Sequence, residues 1–172
     1  MRWIPLLVVL VISIVSGLSI IMTTENFENR RFYLLSLVYL TFLGTILFTP
    51  ISFDGTAVYV MPAGIGSVNL HQLEIFEIGF AENIILTVPL GFLIKRFFAQ
   101  ISLISTMLLG LVIGGGIETM QYFLSHIFLI NRTSDINDVI ANASGIVIGA
   151  ILLIVYEYII NRSSKTANVS NK

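Results

Sequence analysis

The chain has 172 residues, of which 56% are hydrophobic and 11% charged, with a formal net charge of −1. Soluble domains carry about 25% charged residues, so the composition points to an integral membrane protein with most of its length in the bilayer. The charge argues against a nucleic-acid partner, and the absence of cysteine excludes disulfides, thiolate zinc sites and covalent haem attachment.

A membrane-spanning helix needs about 20 mainly apolar residues. Five runs qualify, at residues 3–22, 32–49, 79–98, 101–123 and 139–160, and they predict an all-α integral membrane bundle of five helices. The apolar stretch of the first run is longer than the roughly 7–15 residues of a signal-peptide core, so it reads as a retained span. Residues 50–78 combine turn formers (Pro50, Gly55, Pro62, Gly64 and Gly66) with apolar stretches at 58–61 and 73–78, and predict an ordered or interfacial loop. The third run is the weakest. Its purely apolar part, 84–94, contains Thr87, Pro89 and Gly91, so it spans only if Glu82-Asn83 and Lys95-Arg96 reach the interfaces. Residues 161–172 are polar and predict a disordered tail. The chain divides into an N-terminal transmembrane helix with a cytoplasmic loop at 1–31, a four-helix membrane domain at 32–160 and a polar cytoplasmic tail at 161–172.

Lysine and arginine placement sets the orientation. Alternation through five spans puts Arg30, Arg31, Lys95, Arg96, Arg162, Lys165 and Lys172 on one side and only Arg2 and Arg132 on the other. Seven against two predicts a multi-pass cell-membrane protein with its N-terminus outside and its C-terminus in the cytoplasm. The loops at 50–78 and 125–137 then face outward.

Against this apolar background, Glu118 interrupts the fourth span. A charge at membrane depth costs about 2.5–3.5 kcal/mol on insertion scales, and such residues mark functional sites by default. Helical spacing puts Glu118, Gln121 and Tyr122 on one face with Gly114 a turn earlier. Gly110 and Gly114 form a G-x-x-x-G pair that permits close helix approach. In the fifth span Asp138, Asn142, Gly145 and Gly149 make a polar-then-small stripe. In the third, Asn83, Thr87 and Gly91 recur every fourth residue. The three helices are expected to pack along their glycines, with Pro89 in the third, and to bring their polar groups together near the outer interface. With the fourth span ending at Phe123, Glu118 lies about 8 Å below its outer end at 1.5 Å per residue. That is shallower than the midplane site expected of a secondary transporter.

These residues resemble a family. The segment from Asn83 through Pro89 to Gly91 is similar to the N-x-x-x-F-x-P-x-G element of VanZ-like proteins. Glu118 with Gln121, Arg132 with Asp135 and Asp138, and Asn142 with Gly145 resemble their E-x-x-Q, R-x-x-D-x-x-D and N-x-x-G elements, in the same order. The resemblance covers about residues 32–160. Thr87 stands where the family's pattern has an aromatic, and the loop before Arg132 carries extra apolar residues at 127–130. The resemblance implies a bacterial membrane protein associated with reduced susceptibility to teicoplanin-type glycopeptides.

Three roles stay open for the cluster Asn83, Glu118, Gln121, Arg132, Asp135, Asp138 and Asn142. Glu118 and Arg132 could form a structural ion pair between helices. The cluster could bind the polar head of an outer-leaflet amphiphile, a membrane lipid or a lipid-linked envelope precursor, with the arginine fork on phosphate or carboxylate. It could also be an enzyme acting on a lipid-linked cell-wall precursor, with Glu118, Asp135 and Asp138 as acid, base or hard oxygen ligands of a divalent cation; binding is favoured over catalysis. A purely structural partner of another membrane protein is the remaining alternative. Asp138 suits a helix cap or first-turn acid, and Asn83 and Asn142 suit interhelical hydrogen bonds. No cofactor is expected, and His71 and His126 do not suggest a zinc site. Oligomeric state is not legible in the sequence.

Overall fold

The structure, a computed structural model, describes residues 1–53, 56–73 and 77–170. Gly55, residues 74–76 of the expected apolar stretch and Lys172 of the charge count lie outside the described residues. In chain order the elements are α1 (Ile4–Thr23), α2 (Phe27–Phe48), β1 (Ile51–Phe53), β2 (Val58–Val60), β3 (Val68–Asn69), α3 (Ile78–Phe97), α4 (Leu103–Phe128), β4 (Ser134–Asp135) and α5 (Ile136–Ser170). All five helices are long and apolar enough to cross a membrane, and the strands are minor.

Three helix boundaries differ from the expectation, each for a local reason. The second helix begins five residues early because the Asn26 side chain accepts the N–H of Asn29 at 3.0 Å. Glu28 in its first turn complements the helix dipole, and Arg30 and Arg31 lie inside the helix. The fourth helix runs five residues past Phe123, to Phe128. It stops where Leu129 (φ 57°) and Asn131 (φ 64°) turn the backbone left-handed. The fifth continues to Ser170, where a disordered tail was expected. No proline or glycine follows Gly149 to interrupt it.

The chain forms two compact units, Met1–Ile75 with Gly115–Asp138, and Phe76–Gly114 with Val139–Lys172. In the first, α1 packs on α2, and the hydroxyls of Ser13 and Thr41 hydrogen-bond between them. Pro5 is the buried residue of α1. Its remaining apolar surface suits a lipid environment, whereas in water it would be an aggregation patch. After α2, β1 and β2 pair antiparallel, Ile51 opposite Val60, and the Arg2 guanidinium donates to the Met61 carbonyl. Further on, β3 pairs parallel with β4, Val68 opposite Ser134 and Asn69 opposite Asp135. Gly66 (φ +72°) allows this approach: a Cβ there would stand 1.8 Å from the Arg132 carbonyl oxygen.

The second unit is a close-packed helix set. A Cβ on Gly91 of α3 would lie 1.9 Å from the Ile146 carbonyl oxygen, and one on Gly149 of α5 would lie 1.9 Å from that of Val88. Gly145 meets Thr87 in the same way, at 2.2 Å from its hydroxyl. The first half of α4 rests on α5 at Gly110 against Ala143 and Gly114 against Val139. Small residues at such contacts let backbones approach to distances that a side chain forbids. Pro89 is exposed on α3, and Ile146 and Ala150 are fully buried.

Gly91→Ala should destabilise the protein by about 1–3 kcal/mol, because the added methyl collides with backbone rather than with a movable side chain. Gly116→Ala, where a Cβ meets nothing within 4 Å, should be neutral or stabilising by up to about 1 kcal/mol through helix propensity. Thermal unfolding of the two variants in detergent checks this contrast.

Candidate functional site

The site grows out of an unfinished helix. Pro50 ends α2, and the last four carbonyls of a helix have no partner within it. In a lipid environment each unsatisfied backbone group costs several kcal/mol. Here side chains supply the donors. The Thr49 hydroxyl donates to Thr45 O at 2.7 Å. Gln121 Nε2, reaching from α4, donates to Leu47 O at 3.1 Å. The Arg132 guanidinium donates to the carbonyls of Ile46 and Ile51, to Thr49 O through Nε at 3.3 Å and to the Ser52 hydroxyl through Nη1 at 3.3 Å. A guanidinium also complements the negative end of the helix dipole.

The position of Arg132 is itself fixed by α4. The buried Ser125 hydroxyl accepts the Arg132 N–H at 2.8 Å and donates to its carbonyl at 3.1 Å. Burial lowers the Arg132 pKa below its ordinary value, while Tyr59, Asp138 and Glu118 favour the charge. The ion pair considered between Glu118 and Arg132 is replaced by a different arrangement: the arginine's hydrogen bonds go to carbonyls and a hydroxyl, and it acts on Glu118 only through space.

Glu118 is 7% exposed. Its Oε2 accepts the backbone N–H of Asp135 at 2.9 Å, and its own carbonyl accepts from the Ser134 hydroxyl at 2.9 Å. Among the described residues, the Asp135 N–H is the one protein hydrogen bond to this carboxylate. Asp135 is the acid that caps α5. Its Oδ1 accepts the N–H of Asn137 at 2.8 Å, and its carboxylate also accepts from Asn69 Nδ2 and Asn137 Nδ2. Asp138 lies in the first turn of α5.

This engagement corrects the cation-site idea for Glu118, Asp135 and Asp138. The Asp135 oxygens are taken up by amides, and among the described residues no three His, Asp or Glu side chains are placed to hold a metal ion. Two further corrections concern α4. Tyr122 is 39% exposed and stacks on His126 at 4.1 Å, so it does not share the buried face of Glu118 and Gln121. Because α4 ends at Phe128, ten residues beyond Glu118, Glu118 lies about 15 Å along the axis from that end rather than 8 Å. Half of a roughly 30 Å hydrocarbon core is a comparable distance, so helix depth no longer sets this site apart from a midplane one.

Glu118, Gln121, Arg132, Asp135 and Asp138 all fall in the first unit; Asn83 and Asn142 fall in the second. There Thr87 donates its hydroxyl to the backbone carbonyls of Asn83 at 2.8 Å and Asn142 at 3.1 Å. The interhelical bond at Asn142 is thus made by its carbonyl, not by its side chain. Ser125, Ser134, Asn69 and Asn137 were missed in the sequence. A readable signal existed for the capping: Pro50 forces a helix end among apolar residues, and such an end requires donors.

The helices and their lipid-suited surfaces define a multi-pass membrane protein of the helical-bundle class. Residues 4–159 match the VanZ/LLP1 family model, and the chain belongs to that family. No curated protein and no solved structure matches it.

Removing the α2 caps should act on folding. A buried polar group left without its partner costs about 1–3 kcal/mol. Arg132→Ala strands three carbonyls and should sharply reduce the yield of monodisperse protein in size-exclusion chromatography. Gln121→Leu strands one, and should fold with a lowered melting temperature.

Proposed function

We propose that this protein draws the polar head of an outer-leaflet amphiphile inward to Glu118, about 15 Å along α4 from its end, and thereby lowers the access of teicoplanin-type glycopeptides to the cell envelope. The observation that carries this is the carboxylate itself: it is buried on a span-length helix and held by one backbone N–H. Ionisable residues in such settings mark ligand or ion paths by default. Membership of the VanZ/LLP1 family supports the cell-envelope setting. The excess of lysine and arginine on the opposite loops supports an outward orientation for the loops around 50–73 and 129–135, with the C-terminus in the cytoplasm.

The hydrogen bonding also narrows what the head would offer. Four guanidinium hydrogen bonds of Arg132 already go to α2, to Thr49 after it and to β1, which disfavours an arginine fork on phosphate. The carboxylate of Glu118 suits a head that donates hydrogen bonds, a hydroxyl or an ammonium.

Expressed in a glycopeptide-susceptible bacterium, the wild-type chain should raise the inhibitory concentration of teicoplanin several-fold. Glu118→Gln should return it to the empty-vector value at an equal membrane level, since the glutamine carbonyl can still accept the Asp135 N–H. Full protection by the Gln variant would contradict a role for the carboxylate.

A further inference from the structure

The second unit contains a polar group that the glycine packing does not explain. Asn142 is 0% exposed, and both polar atoms of its side chain, Oδ1 and Nδ2, are buried without a hydrogen-bond partner among the described residues. It lies where three helices meet. Its carbonyl accepts from Thr87 of α3, and its Cβ is 3.4 Å from where a Cβ on Gly114 of α4 would be. An amide sealed in this way loses its hydration with no return, and native structures rarely leave such groups unsatisfied. Leucine or methionine would fill the same space without that penalty.

We propose that the Asn142 side chain holds a neutral, water-sized ligand that both donates and accepts hydrogen bonds, in the first instance a water molecule, at the α3–α4–α5 junction of the second unit. The amide sets the chemistry: Nδ2 donates and Oδ1 accepts, so the ligand must do the reverse at each atom. Size follows from the packing, because Gly91, Gly114 and Gly145 bring the helices to backbone contact around this position and Asn142 has no exposed surface. Buried waters of this kind typically make about three hydrogen bonds to groups the fold leaves unpaired. The ligand at Asn142 does not depend on the role of Glu118, which lies in the other unit.

The test uses the full chain in detergent micelles, labelled with ¹⁵N, with water itself as the probe. The side-chain amide pair of Asn142 is assigned by its disappearance in Asn142→Asp. A direct cross-relaxation peak between that pair and water is expected, and Asn142→Leu should melt several degrees below wild type because it loses the ligand. An Asn142 amide with no contact to water would overturn the proposal. So would a leucine variant that melts above wild type, since an apolar residue of similar shape relieves an amide that has no partner. If the leucine variant does not fold, the water contact in the wild-type protein decides alone.

Discussion

The end of α2 is the constraint on which the first unit depends. A helix that stops at Pro50 among apolar residues exposes carbonyls that water would satisfy in a soluble protein and lipid cannot. The chain answers with Gln121 from α4 and Arg132 from the following loop, which converge on the carbonyls of Ile46, Leu47, Thr49 and Ile51. Arg132 reaches them because Ser125 grips its backbone at both the N–H and the carbonyl. Its carbonyl in turn lies against Gly66, beside the β3–β4 pair. One unfinished helix end thus ties residues 46–52 to α4 and to the loop that carries Arg132.

That arrangement divides the polar residues of the first unit by role. Gln121 and Arg132 complete a helix end, and Asp135 caps the start of another with amides on its carboxylate. Glu118 stands apart, because among the described residues a single backbone N–H holds its carboxyl group and no cationic side chain hydrogen-bonds to it. For this reason the proposed function rests on Glu118 and not on the arginine. In that proposal the hydrogen-bond pattern supplies the chemistry of the head.

The five spans were legible from hydropathy alone, because span length and apolar content are properties of single segments. The glycine positions 91, 110, 114, 145 and 149 were legible as small-residue periodicities, and each sits at a helix contact in the second unit. Helix ends were less legible: Asn26 as a cap and the left-handed turns at Leu129 and Asn131 are local events inside uniformly apolar or polar stretches. The roles of the charged residues were the least legible. Residue type and spacing gave Arg132 and Glu118 an equal claim to a ligand, and nothing in the sequence tells which acceptors an arginine will find eighty residues away. Asn69, placed beside Asp135 by strand pairing, was likewise beyond reach of any spacing argument.

Arg132 caps α2, whereas Glu118 is not part of that scaffold. Hydrogen exchange of the full chain in detergent, followed by mass spectrometry over residues 45–53 and 129–135, tests this most directly. Arg132→Lys, which keeps the charge but loses the planar fork, should accelerate exchange in both segments, and Glu118→Gln should leave both as protected as in the wild type. Unchanged protection in the lysine variant, or equal deprotection in the glutamine variant, would contradict the account.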